Sequence, residues 1–241
     1  MTTTSPDPVT TVSTATSHMG VAEAVPPPGV GQHDRAAGPT EVAVVAAPPA
    51  ANAVPTSVFG FAVVVLMLSL ANSGILASGT TFVPIAMVLG FFAIGIGGLY
   101  ELRNGDIFGG TFGVVYAAFL LTTGVILRFF SPGAKATPAM IDSFGDEVGA
   151  FFLLAALLSV VFTIAARLVN LTAVAAFALL AGVLLFAGLA NIIGGDTGAS
   201  LTKVAGYIGL LDGLAAFYLA SGILLNTMHD RELLPLGAPK A

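Results

Sequence analysis

Hydrophobic residues in this chain gather into six long stretches separated by short polar breaks, after an N-terminal segment dominated by polar residues and prolines. The stretches run from about Ser57 to Leu76, Val83 to Leu102, Ile107 to Phe130, Glu147 to Leu168, Leu171 to Ile193 and Lys203 to Met228. At 1.5 Å rise per residue, a helix of about 20 residues crosses a hydrocarbon layer of roughly 30 Å. In lipid only helices and closed barrels satisfy every backbone group, and apolar runs without period-two alternation exclude the barrel. The pattern therefore predicts an all-α membrane protein with six transmembrane helices across residues 56–228, both termini on one side of the bilayer.

The segment from Met1 to Pro55 carries Pro26-Pro27-Pro28 and Pro48-Pro49 among Thr, Ser and Ala. It has too little apolar surface to offset its ordering entropy, and is expected to be disordered. It does not read as a secretory signal, because no Lys or Arg precedes an unbroken apolar core. A mixed-charge loop from Ser131 to Asp146, with Pro132, Gly133 and Pro138, separates the third and fourth spans and marks the midpoint of the domain. Residues 229–241 form a short polar C-terminal tail.

Composition agrees with this class: 56% of the 241 residues are hydrophobic and only 9% charged, and the mean hydropathy is +0.96. The net charge of -5 leaves no basic face for a phosphate backbone, which argues against nucleic acid as a partner. There is no Cys, and His18, His33 and His229 lie outside the spans without ligand spacing, so neither a metal nor another cofactor is expected. With the termini inside, Arg103, Arg167, Arg231 and Lys240 face the cytoplasm, against Arg128, Lys135 and Lys203 outside. This slight positive-inside bias places the termini in the cytoplasm.

Polar residues inside the spans are the candidates for chemistry. Asp212 sits near the middle of the sixth span on a face of small residues with Ala205, Gly209 and Ala216, although a mid-helix carboxylate costs at least about 2.5 kcal/mol to insert. Either it binds a proton or shapes a permeation path, or it is a protonated or hydrogen-bonded structural carboxyl. Glu101, beside Arg103 at the end of the second span, reads as a water-accessible ion pair or as a residue lining the mouth of a path. Asn72 and Asn191 can hydrogen-bond a small polar solute or tie helices together, and Tyr116, Tyr207 and Tyr218 can add hydroxyls. Phe61 and other aromatics can form an apolar constriction or simply pack. The Gly109/Gly113 and Gly209/Gly213 pairs permit close helix approach. With no Lys or Arg at mid-membrane, an anion would be held weakly.

The opening Asn52-Ala-Val-Pro55 leads into the first span much as the signature Asn-Pro-Ala-Pro does in the acetate uptake transporter family, the succinate-acetate permeases. Further on, Leu70-Ala71-Asn72-Ser73-Gly74, Gly98-Leu-Tyr-Glu101, Gly105-Asp-Ile-Phe108-Gly109, Ala190-Asn191-Ile192, Ala205-Gly206-Tyr207-Ile208-Gly209 and Leu234-Pro235-Leu236-Gly237 keep the order and spacing seen there. From about Asn52 to Gly237 the chain resembles that family. The resemblance implies a six-helix protomer assembled as a homo-hexamer in the plasma membrane. Each protomer would carry its own path for acetate and similar small monocarboxylates, with succinate a further candidate and protons possible companions. It also implies a constriction, falling here on Phe61, Tyr116 and Leu180. The chain departs from the family at Gly113-Val114-Val115, which replaces Phe-Thr-Ser, at Ala71, which replaces a His, and at Asp212, where a small neutral residue is expected. These departures bear on substrate choice.

Three functions stand at this point: a channel or proton-linked permease for small carboxylates, a hexameric channel for a neutral solute such as urea or a short amide, and a non-transporting membrane scaffold. No catalytic constellation is present in the spans, so the chain is not expected to be an enzyme.

Overall fold

The structure is a computed structural model that describes residues 51–237. The expected N-terminal disorder, together with His18, His33 and Lys240, lies outside the described residues. Within them the chain forms six membrane-length helices. These are α1 (Val54–Asn72), α2 (Phe82–Asn104), α3 (Ile107–Phe130), α4 (Pro138–Ala166), α5 (Leu171–Ile193) and α6 (Gly195–His229).

Local chemistry sets the ends. Pro55 opens α1, where a missing N–H costs nothing. Gly105, at φ 85°, closes α2 in the left-handed region that a side chain would strain. Asp106 caps α3 by accepting the Gly109 N–H at 3.0 Å, and Asn170 caps α5 by accepting the Ala173 N–H at 2.8 Å. Two segments widen into π-helical turns, Ala86–Ile94 within α2 and Ile126–Phe130 at the end of α3.

The third and fifth spans match their expected limits, and the others shift. Helix α1 ends at Asn72, four residues before the expected Leu76, because Gly74 turns the chain at φ 84°. Helix α4 begins at Pro138, capped by the Thr137 hydroxyl, so much of the expected Ser131–Asp146 loop is helical. Helix α6 begins at Gly195, ahead of Lys203. Hydropathy reports where a helix leaves the hydrocarbon, whereas capping reports where it ends, and a helix continues into water at little cost.

The helices pack in a circuit. Helix α1 lies against α2 and α6, α2 against α3, and α5 against α4 and α6. Side chains close the α3–α4 seam, with Phe119 stacked on Phe151 at 5.0 Å. Small residues allow the closest approaches: a Cβ on Gly98 would lie 2.7 Å from Gly113 Cα, and one on Gly209 would overlap the Ser69 hydroxyl. Large apolar side chains such as Leu154, Leu157 and Ile164 of α4 face outward, as a bilayer requires. The segment after α6 folds back, its Leu236 carbonyl accepting the Thr172 N–H at 3.1 Å. The two described ends of the chain therefore emerge at the same end of the bundle.

Candidate functional site

Two cavities enter the circuit from opposite ends. The first, of about 440 Å³, opens at the end where the chain termini emerge, with Asn52, Asp106 and Asn170 at its mouth and Phe61, Phe177 and Leu180 at its depth. Its mouth gathers the N-terminal ends of α1, α3 and α5, because those helices all begin at this end of the bundle. The second, of about 270 Å³, opens at the other end beside Asn72, Asn191 and Thr202, and narrows toward Leu68, Phe119 and Val183.

Between them lies an apolar, mostly aromatic layer. Phe61, Tyr116 and Leu180 are 4%, 1% and 4% exposed. Phe61 and Leu180 line the first cavity, whereas Tyr116 lines neither. Phe61 meets Tyr116 edge-on at 6.2 Å between ring centroids, and Phe112 at 5.6 Å. Phe112 meets Phe177 at 5.2 Å, and Phe177 stacks on Phe162 at 5.2 Å. Such edge-to-face and offset contacts hold rings firmly in place.

The Tyr116 hydroxyl lies 2.6 Å from Ser159 Oγ. Ser159 already donates its proton to the Ala155 carbonyl at 2.8 Å. A serine hydroxyl has one proton, so Tyr116 is the donor in the bond between them. The phenol is thus committed to α4, and its proton reaches another acceptor only if that bond opens. Ser159 was not among the expected site residues; its only sequence signal is a hydroxyl in the middle of an apolar span.

The remaining expected polar residues separate into groups. Asn72 and Asn191 come together on the second cavity, with the Asn191 amide also donating to the Ala187 carbonyl at 2.8 Å. Asn52 lines the first cavity and accepts the Val54 N–H at 3.0 Å, while Pro55 is buried at the start of α1. Glu101 departs from the expected water-accessible ion pair. It is 4% exposed, accepts the Ala53 N–H, and reaches only a shallow groove beside Arg103 and Asp106. Its carboxylate anchors the start of α1 instead of facing solvent. Tyr207 is 57% exposed on the outside of the bundle, and Tyr218 donates its hydroxyl to the Pro235 carbonyl at 2.9 Å. Neither tyrosine lines either of the two cavities, because both stand on the outward side of α6, which period alone does not distinguish from the inward one in a helix apolar all round.

Asp212 is fully buried, and both of its carboxylate oxygens lack a hydrogen-bond partner. It lies on α6 between Thr202, which lines the second cavity, and Ala216, which lines the first. The stretch of α6 around it is seated on α1, Gly209 against Ser69 and Gly213 against Leu66. Among the described residues no cluster of His, Asp or Glu is arranged to hold a metal ion.

Comparison with known proteins follows this geometry. Residues 36–231 match the model of the GPR1/FUN34/yaaH family. The chain is 30% identical over 189 residues to the succinate-acetate/proton symporter SatP of Escherichia coli K12, covering 78% of this chain and 95% of that protein. An uncharacterized protein of Methanothermobacter thermautotrophicus is 26% identical over 205 residues, covering 81% of this chain and 95% of its own. A solved structure of the bacterial acetate channel SatP superposes with a TM-score of 0.69 at 28% identity, covering 78% of this chain and 99% of that one.

Proposed function

The chain belongs to the GPR1/FUN34/yaaH family, and from that membership we infer that it is a membrane transport protein carrying acetate and related small monocarboxylates, with succinate as a larger candidate. The observation that carries this reading is the pair of cavities that approach from opposite ends and stop at one thin layer around Phe61, Tyr116 and Leu180. That arrangement suits a solute that stays hydrated on either side and sheds water only briefly.

The mouth of the first cavity holds an anion only loosely. Helix N-termini carry partial positive charge, and those of α1, α3 and α5 meet there, but the capping carboxylate of Asp106 stands at the same mouth and offsets it, so nothing there traps a carboxylate. Asn52 and Asn170 at that mouth, and Asn72 and Asn191 at the other, supply amide contacts. Phe61, Tyr116 and Leu180 form the gate, an apolar constriction that passes solute when it widens or wets. No covalent step is involved. The domain comprises residues 56–228, between an N-terminal tail of residues 1–55 and a C-terminal tail of residues 229–241. It works as a homo-oligomer, a hexamer, in the plasma membrane with both termini in the cytoplasm.

The test is uptake of labelled acetate by proteoliposomes containing the purified protein, against empty liposomes, with urea and succinate as competitors. Saturable uptake, competed by unlabelled acetate and unaffected by urea, is the expected result. Uptake of urea in the absence of acetate flux would instead identify a channel for neutral solutes, and flux of neither would leave the membrane scaffold.

A further inference from the structure

Asp212 departs from everything around it. Its carboxyl is completely buried and both oxygens are unpartnered. The helices packed against this part of α6 bring no compensating charge: α1 and α5 contain no Asp, Glu, His, Lys, Arg or Tyr over their whole lengths. From α3, Tyr116 is a buried titratable group, but its one proton is committed to Ser159. On α6 itself, Asp196, Lys203 and His229 lie toward the helix ends, and Tyr207 and Tyr218 face outward. A carboxylate here would be a bare negative charge at the level of the gate. A carboxylic acid would be a small neutral side chain among small neighbours.

Its position gives this difference a consequence for transport. Along α6, Ala216 one turn away lines the first cavity and Thr202 lines the second; Asp212 lines neither and is buried at a level between them. We propose that Asp212 is a proton-binding site that sets the permeability of the gate: protonated, it lets a carboxylate anion pass; ionised, it repels the anion across the same thin layer. This rests on the transport reading above and adds to it a residue that this chain carries and a sign for its pH dependence. The proton comes from water reaching the gate when the layer opens and returns to water by the same route, and no bond to the solute is made or broken. The repulsion has no local cation to cancel it, and a buried charge is poorly screened.

The experiment uses the full-length protein in proteoliposomes, with identical pH inside and outside so that no gradient drives uptake. Flux through protein-free liposomes is subtracted at each pH to remove undissociated acid crossing lipid. Wild-type flux of labelled acetate should fall as pH rises, approaching about tenfold per pH unit above the midpoint of a single-proton titration. Asp212→Asn, nearly the same shape and unable to ionise, should conduct across that range without the fall. A variant that keeps the wild-type pH profile overturns the proposal.

A second readout does not depend on transport. Infrared pH-difference spectra of the wild-type protein should contain the C=O stretch of a buried carboxylic acid that is missing from Asp212→Asn. A wild-type spectrum without that band overturns the proton site whatever the flux. The band present in a protein that carries no acetate at any pH would support the proton site while rejecting the transport reading, so the two failures are distinguishable.

Discussion

The Tyr116 hydroxyl donates to Ser159 Oγ at 2.6 Å, joining α3 to α4 between the two cavities. Because Ser159 passes its own proton on to the Ala155 carbonyl, the two residues are not equivalent members of the pair, and their removal should not cost the same.

Tyr116→Phe leaves Ser159 still bonded to Ala155 and should destabilise the protein by about 0.5–1.5 kcal/mol, a single net hydrogen bond. Ser159→Ala strands a phenolic hydroxyl in an apolar core and should cost about 1–3 kcal/mol. Unfolding of each variant in the same detergent orders the two. A more stable Ser159→Ala would contradict the donor assignment.

Phe61 lines the deep end of the first cavity and meets the rings of both Phe112 and Tyr116. Phe61→Ala should widen the gate, raising acetate flux and admitting bulkier monocarboxylates, at a stability cost of about 3–5 kcal/mol for a buried aromatic. Phe61→Trp should slow acetate by over-filling the same space. Flux of carboxylates of increasing size through the three forms checks the order, and unchanged size selectivity in Phe61→Ala would move the gate elsewhere.

Glu101 accepts the backbone N–H of Ala53 at the entry to α1. Glu101→Gln retains an acceptor of the same reach and should leave the protein folded and conducting. Glu101→Ala leaves that N–H without its partner and should lower stability by about 1–3 kcal/mol. Thermal unfolding of the two variants distinguishes this anchor from a solvent-facing role, for which both substitutions would be nearly silent.

Gly98 and Gly113 bring α2 and α3 into backbone contact, and a Cβ on Gly98 would lie 2.7 Å from Gly113 Cα. Gly98→Ala should therefore force the helices apart and reduce the yield of folded protein. Gly133→Ala, where a Cβ meets nothing within 4 Å, should be neutral. Size-exclusion profiles after detergent extraction give the comparison, and equal behaviour of the two would show that the contact is not limiting.

Much of the helical layout was legible because transfer into lipid acts on each segment separately. The expected limits Ile107 to Phe130 and Leu171 to Ile193 coincide with α3 and α5, since Asp106 and Asn170 cap those helices where the hydrocarbon begins. The start of α4 at Pro138 was less legible, because Asp142, Asp146 and Glu147 lower the hydropathy without breaking a helix that extends into water. Among the polar residues, Asn72 and Asn191 do meet on one cavity, whereas Tyr207 and Tyr218 do not reach either. Side-chain direction on a helix apolar all round is decided by its neighbours.

The sequence by itself determined that this chain is a six-helix membrane protein, and the resemblance in its motifs indicated the family, because both properties are written in short stretches of neighbouring residues. Only the tertiary structure decided that Tyr116 would bond to a serine 43 positions away, that Glu101 would turn to the backbone of α1, and that Asp212 would be enclosed without a hydrogen-bond partner. Those outcomes depend on which helix faces meet. In lipid that is settled by the fit of small residues such as Gly209 against Ser69, a relation between distant segments that no local pattern contains.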